Sequence, residues 1–177
     1  MDKKFWFQMA GLSIVILGAT FLAFNYKYLL PFTSQIKNSG KQNISVNSQT
    51  KILKIVDASG NIKVALDVEI ADTNEKRNKG LGYRASLATN SGMLFIHTPT
   101  KKYTYWMKGM QFPIDIIWIL NDKIVDILPN VPPPIEGQTD ETLERYSSTV
   151  DINRVLETNA GFVITHDIQA GDRIVLE

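Results

Sequence analysis

Between residues 62 and 70 the chain alternates, with Ile62, Val64, Leu66, Val68 and Ile70 on one side and Lys63, Ala65, Asp67 and Glu69 on the other. Successive side chains of a strand point to opposite faces, so a period of two predicts a half-buried β-strand. Residues 51–56 form a second apolar run, and Asp57-Ala58-Ser59-Gly60-Asn61 between the two supplies turn chemistry, so the pair reads as a hairpin. Further strands are expected over residues 92–97, 103–108, 114–120, 123–128, 153–158 and 173–176, with Asn121-Asp122 turning a second hairpin. Two short helices interrupt them. Asp72 offers an N-cap with Glu75 three residues on and Gly80 as the stop; Asn159 is placed to cap the other, over residues 160–166. Many short strands separated by turns predict an antiparallel β-sandwich or small barrel with two short helices. Residues 129–148, which contain Pro132-Pro133-Pro134 and Gly137, stand apart as a long connection of the kind that often carries function.

A different pattern occupies the N-terminus. Residues 5–24 hold no charge at all, and only Gln8, Ser13 and Thr20 interrupt their apolar character. At helical rise such a stretch measures about 30 Å, the thickness of a bilayer's hydrocarbon core. Trp6 lies at one end and Tyr26 and Tyr28 at the other, where amphipathic rings favour the headgroup zone. The run is too long for the core of a cleaved secretory signal, and no small-residue cleavage site follows it. Residues 1–30 are therefore read as a cytoplasmic tail and single-pass signal anchor. The positive-inside rule leans only weakly, since Lys3 and Lys4 precede the span while Lys27, Lys37 and Lys41 follow it. The short polar tail staying inside sends the C-terminal domain out of the cytoplasm.

Composition divides what remains. Residues 31–50, rich in Asn, Ser, Gln and Lys, cannot bury enough apolar surface to fold and read as a flexible linker. Residues 51–177 suffice for one globular domain with a core. Residues 1–50 carry five lysines and one acidic residue, whereas residues 51–177 carry 14 basic and 17 acidic ones. A mildly acidic domain lacks the basic face that nucleic acid requires, and the basic stem suits anionic headgroups instead. With no cysteine in the chain, disulfides, thiolate chemistry and cysteine zinc sites are excluded.

Several ordered segments look familiar: Ala71-Asp72-Thr73, Lys79-Gly80-Leu81, Arg84-Ala85-Ser86-Leu87, Gly92-Met93-Leu94-Phe95, Trp106-Met107-Lys108 and Pro113-Ile114-Asp115-Ile116. Val155-Leu156-Glu157, Ala160-Gly161-Phe162 and Gly171-Asp172-Arg173 follow. Together they resemble the bacterial and archaeal family called domain of unknown function 192, over nearly all of residues 51–177. The resemblance implies a compact, mostly β domain of jelly-roll type, commonly exported or membrane-anchored, and implies no reaction. Two departures stand out. Gly82 replaces the Met usual after Gly-Leu, and Gly109-Met110 replace the Asn-Thr usual after Trp-Met-Lys.

The candidate chemistry is sparse. His97 and His166 are the only histidines, and pairing them with Asp115, Glu157 or Asp167 would be needed for a metal site; no metal or cofactor is expected. Gly80-Leu81-Gly82-Tyr83-Arg84-Ala85 fits a dinucleotide fingerprint only formally, because a helix rather than a strand precedes it. Asp115 lies inside Phe112-Pro113-Ile114-Asp115-Ile116-Ile117-Trp118, where an unpaired buried carboxylate would be costly, and Arg84 and Lys108 are its natural partners. Such a pair either clamps the fold or lines a cleft, with Arg84 gripping an anion or a hydroxyl and Asp115 acting as acceptor or base. On residues 103–108, Tyr103, Tyr105 and Met107 share one face and Thr104, Trp106 and Lys108 the other, and such aromatic rows form core or stack a ligand. Tyr146 is positioned in the long connection to cover them. The candidate binding residues are thus Arg84, Trp106, Lys108, Asp115 and Tyr146. The expected function is a membrane-anchored, extracytoplasmic module that binds an envelope polymer, a small polar ligand or an envelope protein. A hydrolytic enzyme using Arg84, Lys108 and Asp115 is the alternative.

Overall fold

The computed structural model describes residues 50–177. The expected anchor lies outside the described residues, as does the expected linker except for its last residue, Thr50, which opens the first strand. Nine strands and two helices follow in order: β1 (Thr50–Val56), β2 (Ile62–Ala71), α1 (Asn74–Lys79), β3 (Ser91–Lys101), β4 (Thr104–Tyr105), β5 (Ile114–Leu120), β6 (Lys123–Val131), β7 (Tyr146–Ser147), β8 (Ile152–Asn159), α2 (Phe162–Thr165) and β9 (Arg173–Leu176). Seven strands close into a barrel in the order β1-β2-β3-β8-β5-β6-β9, and β4 and β7 form a separate two-stranded sheet.

The expected all-antiparallel arrangement fails at one ladder, since β2 and β3 pair in parallel from Asp67↔Ser91 to Ala71↔Phe95. Parallel neighbours need a crossover, and α1 with the loop after it provides one. Thr73, rather than Asp72, caps α1 by accepting the Lys76 N–H at 3.2 Å, and Gly80 ends it at φ +49°. The first hairpin turns as expected: one Asp57 carboxylate oxygen accepts the N–H groups of Ser59 and Asn61 at 2.8 and 2.9 Å.

Two apolar clusters hold the domain. The first fills the barrel, with Leu53, Ile55, Leu66, Val68, Leu94, Ile117, Ile119, Ile124, Leu156 and Ile174 pointing inward and Phe162 and Val163 of α2 against them. The second lies on the barrel's outer face over β3, β8 and β5, where Met93, Phe95, Ile114, Ile116, Trp118 and Val155 are covered by Leu81, Met107 and Met110. Each fully buried large apolar side chain contributes about 1.5–3 kcal/mol. Strands β5 and β8 are thereby buried on both faces, which is why residues 114–119 are all buried.

Candidate functional site

The outer cluster does not pack solid. Between β3, β8 and the Tyr103–Met110 segment lies a cavity of about 510 Å³, with Gly80–Tyr83 along another side. Alternation along the strands sets what reaches it. On β3 the outward residues after Met93 are Phe95 and His97, and on β8 the residue two beyond Val155 is Glu157. Glu157 stands opposite Met93 on one neighbouring strand and Ile116 on the other.

Glu157 is 6% exposed, and burial alone drives its carboxyl up to about 8, for no cation or donor among the described residues offsets it. At neutral pH it is a protonated acid facing the cavity. Above it, the Tyr105 hydroxyl and His97 Nε2 share a hydrogen bond of 2.7 Å, its direction set by the imidazole tautomer. Burial pushes the Tyr105 phenol far upward, with the nearby Glu157 adding to that and Arg77 opposing it. His97 is pushed down to about 4 by burial, then by Arg77 and Lys101, so the imidazole is neutral at pH 7. Its ring stacks on Tyr103 with centroids 3.9 Å apart. Phe95 and Trp118 both meet Tyr105 edge to face, at 5.3 and 5.4 Å, fixing the phenol's direction.

Charge enters from the wall and rim. Arg77 of α1 donates to the Ile96 carbonyl at 2.7 Å and to Asn74 Oδ1 at 2.6 Å, leaving three of its five N–H groups. Lys79 and Lys108 also line the cavity, the latter paired with Asp140. Asp140 accordingly raises the Lys108 ammonium.

The residues expected to form a site divide. Trp106 and Lys108 line the cavity; Arg84, Asp115 and Tyr146 are not among its walls. Trp106 is 40% exposed, with the Arg145 guanidinium 3.9 Å and the Lys108 ammonium 5.1 Å from its ring. Tyr146 lies opposite Tyr105 in the β4–β7 sheet and donates to Glu144 at 3.0 Å. The expected pairing of Asp115 with Arg84 or Lys108 is corrected. Asp115, fully buried, accepts the backbone N–H groups of Asn130, Gly161 and Val163 at 2.8, 3.2 and 2.9 Å. It thereby ties β5 to the end of β6 and to the start of α2. Arg84 instead forms a two-pronged bridge to Glu69, at 2.5 and 3.0 Å, which holds the Glu69 carboxyl low. Asn159 does not cap α2; its amide donates to the carbonyls of Leu87 and Ala88.

Arg77 has no place among the residues expected at a site, Tyr105 enters only through the aromatic row that forms core or stacks a ligand, and His97 and Glu157 enter as potential metal ligands. No group of three or more His, Asp or Glu among the described residues is placed to hold a metal ion. A signal for Glu157 was present: a carboxylate within Val155-Leu156-Glu157, a strand apolar on both faces, must be neutralised or used.

The family model of DUF192, described as an uncharacterized ACR, matches residues 54–176. Among solved structures, a protein described as a proposed transcription regulator from Sinorhizobium meliloti 1021 is 31% identical, with a TM-score of 0.64 over 72% of this chain and 93% of that one. A protein of unknown function from Novosphingobium aromaticivorans DSM 12444 is 26% identical, with a TM-score of 0.62 over 71% and 84%. No curated protein matches.

Proposed function

The chain belongs to the uncharacterised DUF192 family, and from that premise we propose that it is a membrane-anchored, extracytoplasmic binding module whose outer cavity takes a small polar ligand. One observation carries the reading: Glu157, buried and without a partner among the described residues, opens onto a cavity of about 510 Å³. A perturbed acid in an aromatic-walled pocket is a common mark of a ligand site. The tether is supported by the chargeless stretch of residues 5–24 and the polar linker of residues 31–50. Trp106 and Lys108 are the rim contacts of this site.

The hydrolytic alternative draws less support. Both Asp115 oxygens are spent on backbone N–H groups and Arg84 is held by Glu69, so neither is free to act on a substrate. Glu157 is the one carboxylate among the cavity's described lining residues, whereas hydrolysis of a glycosidic bond ordinarily uses two. The regulator role named for the Sinorhizobium protein finds no support here, as residues 51–177 carry more acidic than basic residues.

The test is a thermal-shift screen of the full chain in detergent micelles against neutral sugars, amino acids, organic acids and amines. A binder raises apparent stability by mass action. At least one class is expected to raise the midpoint in the wild type and to lose that effect in Glu157→Leu. A flat panel overturns the pocket reading, and recovery of the intact chain in a detergent-free soluble fraction overturns the tether.

A further inference from the structure

Resting on that pocket reading, we propose that the ligand is a small organic carboxylate whose charged end is held in the cavity by Arg77 and Glu157. Charge within the cavity decides the class. Its described lining holds three cations, Arg77, Lys79 and Lys108, and one carboxyl, Glu157. Asp140 answers Lys108, whereas among the described residues no carboxylate comes within ion-pair distance of Arg77 or Lys79, which act only at longer range on Asp72 and Glu69. Arg77, Tyr105 and Glu157 line the same cavity, and the charges of Arg77 and Glu157 both reach the Tyr105 phenol.

The donors also match. Arg77 keeps three N–H groups after serving Ile96 and Asn74, and a planar guanidinium suits a carboxylate. Glu157 in its acid form supplies an O–H donor to a second oxygen, completing what an anion requires. Below the head, Phe95, Leu81, Met107 and Ile114 offer an apolar bed for a hydrocarbon or ring body. A cationic ligand fits worse, since it would have to strip the Glu157 proton while lying among three cations.

Protonation sets the affinity. The titratable or charged groups around Glu157 are Arg77 and Lys79 from α1, Tyr83 after it, His97 from β3, and Tyr103, Tyr105 and Lys108 around β4. His97 is neutral well above pH 4 and Asp140 holds the proton on Lys108, while Glu157 ionises as pH rises through about 8. Its ionisation removes a donor and adds repulsion.

The experiment uses the full chain in micelles, labelled on methionine methyls, with benzoate, benzamide and benzylamine as probes of one shape and three charges. Met107 and Met110 line the cavity and report occupancy locally. Benzoate is expected to shift both methyls at lower concentration than either other probe. Its affinity is expected to fall about tenfold per pH unit above about 8 in the wild type and to stay flat in Glu157→Gln. Arg77→Gln is expected to weaken benzoate about tenfold or more while leaving benzamide unchanged. Arg77→Lys, which keeps the charge, should lose less, and it serves in place of Arg77→Gln if that variant does not fold. Benzamide matching benzoate, benzylamine exceeding it, or Arg77 variants binding benzoate normally would each overturn the carboxylate assignment and leave the cavity as a ligand site. If no probe moves Met107 or Met110, both readings fail.

Discussion

Glu157 costs the fold stability that a glutamine there would not. Its carboxyl titrates near 4.5 when unfolded and about 8 when folded, so between those values the folded state binds more protons than the unfolded one. Stability conferred by the neutral acid is full below pH 4.5 and is lost as pH rises through 8. Glu157→Gln is therefore expected to match the wild type near pH 4.5 and exceed it increasingly up to pH 8, by an amount on the order of a few kcal/mol, read from denaturant midpoints across that range. A gap that does not widen with pH contradicts the assignment. Asp115 makes the opposite case. Asp115→Ala strips the acceptor from three backbone N–H groups and is expected to cost about 3 kcal/mol or more, whereas Lys108→Ala at the exposed rim should cost little. Asp115 announced itself in the sequence as a carboxylate in an apolar run, but its partners did not. They are main-chain groups as far as 48 residues away, and backbone donors leave no trace in side-chain identity.

Among the elements, legibility followed exposure. Strand β2 carries one buried and one open face, so its alternation shows; Leu66 and Val68 are buried while Ala65 and Asp67 are exposed. Strand β5 reads Ile-Asp-Ile-Ile-Trp-Ile-Leu because the barrel interior and the outer cluster claim alternate residues, and a run without period cannot say which side is which. The expected strand over residues 103–108 shrinks to Thr104–Tyr105 because the chain turns at Met107–Met110, with Gly109 at φ +69° against the Tyr83 ring. The close approach of β3 to β8 was equally hidden. At Gly92 a Cβ would stand 2.9 Å from the Glu157 carbonyl oxygen, a backbone atom that cannot swing aside. Gly92→Ala is expected to destabilise the domain by about 1–3 kcal/mol, measured by thermal or chemical unfolding, and to weaken benzoate binding by displacing β8. Unchanged stability would mean that the strands part without cost.

At the scale of the molecule, a ring of strands with a second core on its outer face accounts for where the cavity lies. Burying β3, β8 and β5 on both sides creates an interior outside the barrel, and the polar residues stranded in it, His97, Tyr105 and Glu157, line the cavity. A β domain with two short helices follows from strand lengths and turn residues, which are local. Ring closure and the parallel ladder depend on which strands meet, which local pattern does not encode. The ring itself is unevenly joined: β9 meets β1 over four register positions from Leu53↔Leu176 to Val56↔Arg173, and meets β6 at Lys123↔Arg173 alone. Joining β9 to β1 also spans nearly the whole domain in sequence, the contact with the largest loop entropy to overcome. The domain is thus expected to assemble as a curled ribbon that latches last at β9. Until the latch catches, β1 and β6 present bare hydrogen-bonding edges, the surface on which one copy would templated-pair with another and aggregate.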